Sequence, residues 1–111
     1  MPSVTTKQVT IPAGGYLSSA ADLTSGSVYM IITPPAWTPA NVGFLASADN
    51  LNFYDVFDSF GMEILRAFGP NRAVMVDPTF TQATAYFKLR SGPLANPVIQ
   101  DADRIFTLVI K

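Results

Sequence analysis

Short apolar runs and turn residues alternate along the whole chain at close, fairly even intervals. Nine prolines and seven glycines mark the breaks. Between them lie stretches rich in Val, Ile, Thr, Tyr and Phe, the residue types that fit a pleated, half-buried surface. The pattern predicts strands over Lys7–Ile11, Leu17–Leu23, Val28–Thr33, Val42–Ser47, Phe53–Asp58, Met62–Phe68, Ala73–Asp77, Ala85–Ser91 and Ile105–Ile110. Nine short strands with turn signals between them point to an antiparallel sandwich or barrel. The clearest alternation runs from Ala85 to Ser91: Ala85, Phe87 and Leu89 face one way, and Tyr86, Lys88 and Arg90 the other. That predicts a strand with one buried and one wet, exposed face. Val28–Thr33 and Ile105–Ile110 are apolar at both parities, as expected of strands central in a sheet or covered by a neighbouring chain.

Turn chemistry supports these boundaries. Ser47-Ala48-Asp49-Asn50 lies between two strand runs, and Asp and Asn both tolerate the left-handed conformation of a tight hairpin. Pro12-Ala13-Gly14-Gly15 breaks the chain after the first strand, and Ser91-Gly92-Pro93 and Asn96-Pro97 follow the eighth. Pro34, Pro35 and Pro39 frame Trp37 in a loop that can be neither helix nor central strand. The stretch from Asp55 to Phe68 is ambiguous. Val56, Phe60, Ile64 and Phe68 recur every four residues as on a helix, but Gly61 interrupts the stripe and Phe53, Phe57 and Leu65 fall off it, so two strands are favoured.

Composition narrows the chemistry. The 111 residues make one domain, read as a flexible N-terminal arm over residues 1–6 and a single β-sandwich over 7–111. There is no cysteine and no histidine. Disulfides, thiolate metal sites, thiol nucleophiles and every His-based general-base arrangement are thereby removed. Seven basic and eight acidic residues leave a net charge of −1, with no basic stripe for nucleic acid. No apolar run approaches the ~20 residues of a membrane span, and Met1-Pro2-Ser3-Val4-Thr5-Thr6 lacks the apolar core of a signal peptide. Such a chain is expected to be made in a cell's cytoplasm and kept there or packaged in a particle. Hydrophobic residues are 49% of the chain and charged ones only 14%, against roughly 25% charged in ordinary soluble domains. A domain this small buries so much apolar side chain with difficulty, and part of the surplus is expected to face a partner.

Candidate constellations are few. Asp49, Asp55, Asp58 and Glu63 fall within fifteen positions, but Leu51 stands where an EF-hand has a ligand and no glycine follows at the sixth place, so they read as turn and strand-face carboxylates. Asp101 and Asp103 beside Gln100 and Arg104 read as a local Asp–Arg pair anchoring the turn before the last strand, with an acid/base pair as the sharper alternative. No catalytic residue, metal ligand or cofactor is assigned, and the chain is not expected to be an enzyme. The candidate interface comprises Trp37, Tyr54, Phe57 and Phe60 as aromatic anchors, with Tyr86, Lys88 and Arg90 on one strand face for an anionic, sugar or carboxylate ligand.

Whole stretches also look familiar. Pro35-Ala36-Trp37-Thr38-Pro39-Ala40, Phe44-Leu45-Ala46-Ser47-Ala48-Asp49 and Phe53-Tyr54-Asp55-Val56 form one pattern. Phe87-Lys88-Leu89-Arg90-Ser91-Gly92 and Pro97-Val98-Ile99-Gln100-Asp101-Ala102-Asp103-Arg104 form a second. With Ile11-Pro12-Ala13-Gly14, these resemble a family of small virion proteins of tailed bacteriophages and prophages, over about Ile11 to Val109. Relatives usually carry Asp-Gly where this chain has Asp49-Asn50, a change the turn should survive. The order Ser47-x-Asp49-x-x-x-Phe53, then a long hairpin, then Tyr86-Phe87-Lys88-Leu89-Arg90 is similar to galactose-binding, discoidin-like jelly rolls. The resemblances imply an antiparallel β-sandwich of jelly-roll type. They imply a cement or decoration protein of the phage head that binds the major capsid protein, as a homo-oligomer (dimer or trimer), without nucleic acid or membrane. The alternatives are a carbohydrate-binding or host-attachment module, with Trp37 and Tyr86 as platform beside Arg90 and Asp55, and a tail or neck connector.

Overall fold

The computed structural model describes residues 4–111. Nine strands fold into two antiparallel sheets: β1 (Thr5–Ile11), β2 (Ala21–Asp22), β3 (Val28–Ile32), β4 (Asn41–Ser47), β5 (Tyr54–Asp55), β6 (Arg66–Ala67), β7 (Ala73–Met75), β8 (Tyr86–Ser91) and β9 (Arg104–Ile110). One sheet has the order β1-β9-β3-β7, the other β2-β8-β4-β5, with β6 also paired to β4. The pairs are nested: β1 with β9, β2 with β8, β3 with β7, and β4 with β5 and then β6. A long antiparallel hairpin rolled over on itself gives this nesting, so the sandwich is a jelly roll, as expected. Both doubly apolar strands, β3 and β9, lie inside their sheet with a neighbour on each side.

The core lies between the sheets. Val9, Ile11, Ile31, Phe106, Leu108 and Ile110 from one meet Val42, Phe44, Phe87 and Leu89 from the other. Phe44 and Phe87, adjacent on β4 and β8, stack with centroids 5.4 Å apart. Fully burying a side chain of this size stabilises the fold by ~1.5–3 kcal/mol, which makes this slab the main source of stability.

Three predicted strands, over 17–23, 53–58 and 62–68, shrink to two residues each, and local structure explains the loss. Along the predicted 17–23 strand, the Ser18 hydroxyl accepts the Leu89 N–H at 2.8 Å, taking the place of a ladder carbonyl. Ser19 then turns to β1, its N–H donating to Thr10 O and its hydroxyl accepting from Thr10 N. The chain thereby stitches the edge of one sheet to the edge of the other, and only Ala21–Asp22 remains ladder. Over 53–68 no helix forms, and β5 and β6 lie in succession along one edge of β4. They are a single strand interrupted by a hairpin excursion, closed by the Phe57–Glu63 bridge. Among the described residues no helix is long and apolar enough to cross a membrane. Thr5 and Thr6 belong to β1, so the sheet begins inside the segment expected to be an arm, and the rest of that expectation, over Met1–Ser3, lies outside the described residues.

Candidate functional site

The excursion between β5 and β6 is the most exposed apolar element of the molecule. Its tip is built by Asp58. The Asp58 carboxylate accepts the N–H groups of Phe60 at 2.8 Å and Met62 at 3.0 Å. The Asp58 N–H donates to Met62 O, and Gly61 N–H donates to Asp58 O. Gly61 takes φ +82°, which a side chain rarely tolerates, so the turn needs glycine there. Held this way, Phe60 is 90% exposed and Met62 65%. Phe57 is exposed on the same excursion, Tyr54 on β5 at its base and Leu51 on the turn before β5. Tyr54 and Phe57 also line a shallow groove of about 360 Å³ with Ala46, Val56 and Ala83. Of the predicted interface, Tyr54, Phe57 and Phe60 are thus brought together on one projecting element and at its base.

The other expected interface residues are placed elsewhere. Trp37 is a core residue, only 9% exposed, set edge-on to Phe106 with centroids 5.4 Å apart and tilted against Phe68. Its indole N–H donates to Ala40 O at 3.2 Å, so its one polar atom is satisfied inside. Phe68 and Phe106 hold the ring inside, and this is why an aromatic in a proline loop is not a surface anchor here.

Tyr86, Lys88 and Arg90 share the outward face of β8 as predicted, but that face is not wet along its length. Arg90 is 2% exposed. Its guanidinium pairs with Asp55 through Nη1 and with Glu63 through Nη2, and its Nε–H donates to Gly92 O at 3.1 Å. Glu63 also accepts the Leu94 N–H at 2.9 Å. The excursion and the 92–97 segment are thus drawn together over Arg90. Gly43, its cross-strand neighbour, lies so close that a Cβ there would overlap the guanidinium. Lys88 lies over the Phe53 ring, 4.4 Å from its centroid, and Tyr86 is half-buried. The trio positions chain and is not a free anion site. No sequence pattern marked this, because Asp55 and Glu63 lie 35 and 27 residues from Arg90.

The four clustered carboxylates are all engaged by the protein. Asp55 and Glu63 hold Arg90, and Asp58 holds the Phe60 turn. Asp49 Oδ1 accepts from Leu51 N–H and Asn52 N–H, both at 2.9 Å, and from the Ser47 hydroxyl, while Oδ2 accepts from the Asn52 amide. Those bonds, the Asn52 N–H first, hold the Asp49 carboxyl well below the ordinary carboxylate range. Asn50 beside it has φ +63°, the left-handed turn position expected of it. Asp22 and Asp77 are lowered in the same way, Asp22 chiefly by the Thr24 hydroxyl and Asp77 chiefly by the Thr79 N–H. Among the described residues no group of three metal-ligating side chains converges.

The opposite end of the sandwich is tied by a neutral group. Gln100 is fully buried. Its amide oxygen accepts from Thr38 N–H and Arg104 Nε–H, both at 3.0 Å, and its amide nitrogen donates to Thr38 O and Ser91 Oγ. Arg104 Nη2 pairs with Asp101 at 2.7 Å, the local pair expected from the sequence. Asp103 instead accepts the Ala13 N–H at 2.8 Å and so pins the Pro12–Gly15 turn. Both aspartates anchor loops, and nothing about them resembles an acid/base pair facing a pocket.

Comparison with protein-family models, with curated proteins and with solved structures finds no match. The chemistry of the site rests on the geometry above: every buried side-chain polar atom among the described residues has a hydrogen-bond partner, and the unsatisfied surface is apolar.

Proposed function

We propose that this chain is a structural protein of a bacteriophage head, a cement or decoration protein that docks on the major capsid protein and stabilises the assembled shell. The observation that carries the proposal is the set of large apolar side chains kept outside a sandwich whose interior is already complete, Phe60, Met62, Tyr54 and Leu51 above all. Folding gains nothing from a phenylalanine that is nine-tenths exposed, and a rigid β-sandwich that displays such residues has the build of an interaction module. The likeness of the 35–56 and 87–104 stretches to small phage virion proteins supports the particular setting. Mechanism follows from mass action: a ligand that binds only the assembled lattice shifts the equilibrium toward assembly without any chemistry. A homo-oligomer fits the outward face of β1-β9-β3-β7, where the register places Thr6, Gln8, Thr107, Val109, Met30, Ile32 and Met75 and no charged residue.

Sugar binding finds less support, since Trp37 is core and Arg90 and Asp55 are paired with each other. The test is quantitative gel densitometry of purified virions, scaled to the major capsid protein. A simple ratio of this chain to capsid subunits is expected. A handful of copies per particle would move it to the tail or neck, and absence from particles would end the virion reading.

A further inference from the structure

We infer that the projecting hairpin of residues 57–63 is the docking element, and that it seats Phe60 and Met62 in an apolar pocket of a foreign protein surface rimmed by Lys or Arg side chains. The inference deepens the proposed function and rests on it for the identity of the partner. Three observations carry it. Phe60 and Met62 are the apolar side chains of a turn whose hydrogen bonds use only the backbone and the Asp58 carboxylate. The turn would close equally well with polar residues at both places, so the fold does not require them. The turn is also preorganised, with four hydrogen bonds within five residues, so docking it orders little chain and most of the contact energy is retained.

The third observation is charge. No Lys or Arg occurs between Lys7 and Arg66, while Asp49 and Asp58 stand exposed beside the apolar residues. Arg90 offsets one of the two charges of Asp55 and Glu63, and of the flanking bases Lys88 is held against Phe53 while Arg66 shares a groove with Asp58 and Asp77, so acidic groups outnumber basic ones around the exposed tip. A second copy docking the same hairpin across a two-fold axis would bring together two tips whose exposed charge is the Asp58 carboxylate. An anionic lipid surface would be repelled in the same way. A basic rim around an apolar pocket complements the element in both respects, and charge complementarity of this kind acts mostly on the association rate.

The test uses the full chain and empty shells assembled from the major capsid protein, with binding isotherms by co-sedimentation at 50 and 300 mM NaCl. Wild type is expected to bind more weakly at the higher salt. Phe60→Ala is expected to weaken binding by roughly 30-fold, the size of a hot-spot truncation, and Met62→Ala by several-fold. Asp58→Asn keeps an acceptor oxygen for the turn but drops the charge, and should reduce the salt dependence more than it reduces affinity at 300 mM. Ile99→Ala, exposed in the loop before β9 and outside both the hairpin and the uncharged sheet face, should bind as wild type does. Phe60→Ala binding within twofold of wild type would overturn the hairpin assignment while leaving the proposed function standing, and salt-independent binding would overturn the basic rim. If wild type does not bind shells, it is the proposed function that fails. The hairpin is then tested by a benzophenone photo-crosslinker at position 60 in the cells or particles that carry the chain. A crosslink mapped to one foreign protein, at an apolar site flanked by Lys or Arg, supports the inference. A crosslink to a second copy, to lipid or to nothing overturns it.

Discussion

The outward faces of the two sheets make opposite use of the same strand geometry. On the β1-β9-β3-β7 sheet the register sets Thr6, Val109, Met30 and Met75 in one outward row and Gln8, Thr107, Ile32 and Ala73 in the next. None is charged, and among the described residues Ile32 and Met75 remain exposed while Val109 is nearly covered by its neighbours. On the β2-β8-β4-β5 sheet the outward rows are Gly43 with Arg90, Leu45 with Lys88 and Asp55, and Ser47 with Tyr86 and Asp22. Here chain is drawn over the face, because a guanidinium on a strand beside glycine has room to lie flat and two distant carboxylates close on it. A charge in the middle of a sheet face organises loops. An uncharged face leaves its surface free for something outside the molecule.

Removing that charge is the most damaging way to break the comparison. Arg90→Met leaves Asp55 and Glu63 facing one another, partly shielded from water, without their cation, a change that costs about 3–5 kcal/mol when one partner of a buried ion cluster is lost. Thermal unfolding should show a fall in Tm of more than ~10 °C for a domain of this size. Adding Asp55→Asn and Glu63→Gln to Arg90→Met should recover part of the loss, because the uncompensated charges are then gone. A triple variant no more stable than the single one would mean that packing of the arginine stem, and not its charge, holds the excursion down.

Next in size is Gly43→Ala, which leaves every charge in place. The new Cβ would overlap the Arg90 guanidinium, and that group is fixed by two ion pairs and a bond to Gly92 O. Overpacking a fixed group costs about 1–3 kcal/mol, read as a lower midpoint in urea at unchanged slope. Ala73, an outward position of the other sheet, should accept the converse enlargement to Val at no measurable cost, since it is exposed.

These two faces also show how far the sequence could be read. The nine strands, the central places of β3 and β9 and the left-handed Asn50 follow from patterns a few residues long, and such patterns survive in a linear text. The parity of Tyr86, Lys88 and Arg90 was readable for the same reason. Their exposure was not, because burial of Arg90 depends on Asp55 and Glu63 meeting it across most of the fold. Trp37 shows the same limit: its prolines announce a loop, but Phe68 and Phe106, which turn it inward, lie 31 and 69 positions away. The Phe60 turn was obscured by a helical spacing that includes both Phe60 and the core-packed Val56 and Ile64. Gly61 was the local signal that the spacing was accidental.

A pH titration sharpens the contrast between charge-held and neutral parts with a smaller effect. Asp22, Asp49 and Asp77 all have folded-state pKa values below the ordinary carboxylate value. Each therefore contributes stability that is fully present above about pH 4 and is lost as pH falls through the lowered folded values. With no histidine in the chain, Tm should change little between pH 5 and 8 and decline below about 4. The three aspartates serve the β2–β3, β4–β5 and β7–β8 turns, at the end of the sandwich opposite Gln100. Amide exchange at Thr24, Asn52 and Thr79 should accelerate in acid relative to the intrinsic rate, while Thr38, bonded to the neutral Gln100 amide, stays protected. Equal loss at both ends would mean the fold yields globally and the turns are not separate units.

The smallest effect on stability belongs to the open face, and there a small effect is the informative result. Ile32→Lys puts a charge into the uncharged outward row, at a position that already meets water. A long side chain there can lay its methylenes along Thr107 and Ala73 and keep its ammonium solvated. Substitution at such a site changes the stability of the isolated chain by less than about 0.5 kcal/mol. If copies of the chain associate through this face, the same lysine meets its own image or an apolar partner, and the charge must be desolvated without a counter-ion. Sedimentation velocity over a range of concentrations should then show wild type moving to a larger species while Ile32→Lys stays monomeric at the same Tm. Association unchanged by Ile32→Lys would place self-contact elsewhere. A large fall in the monomer's own stability would mean that the face is part of the core's support, and that the difference between the two sheets lies in their charge alone and not in their openness.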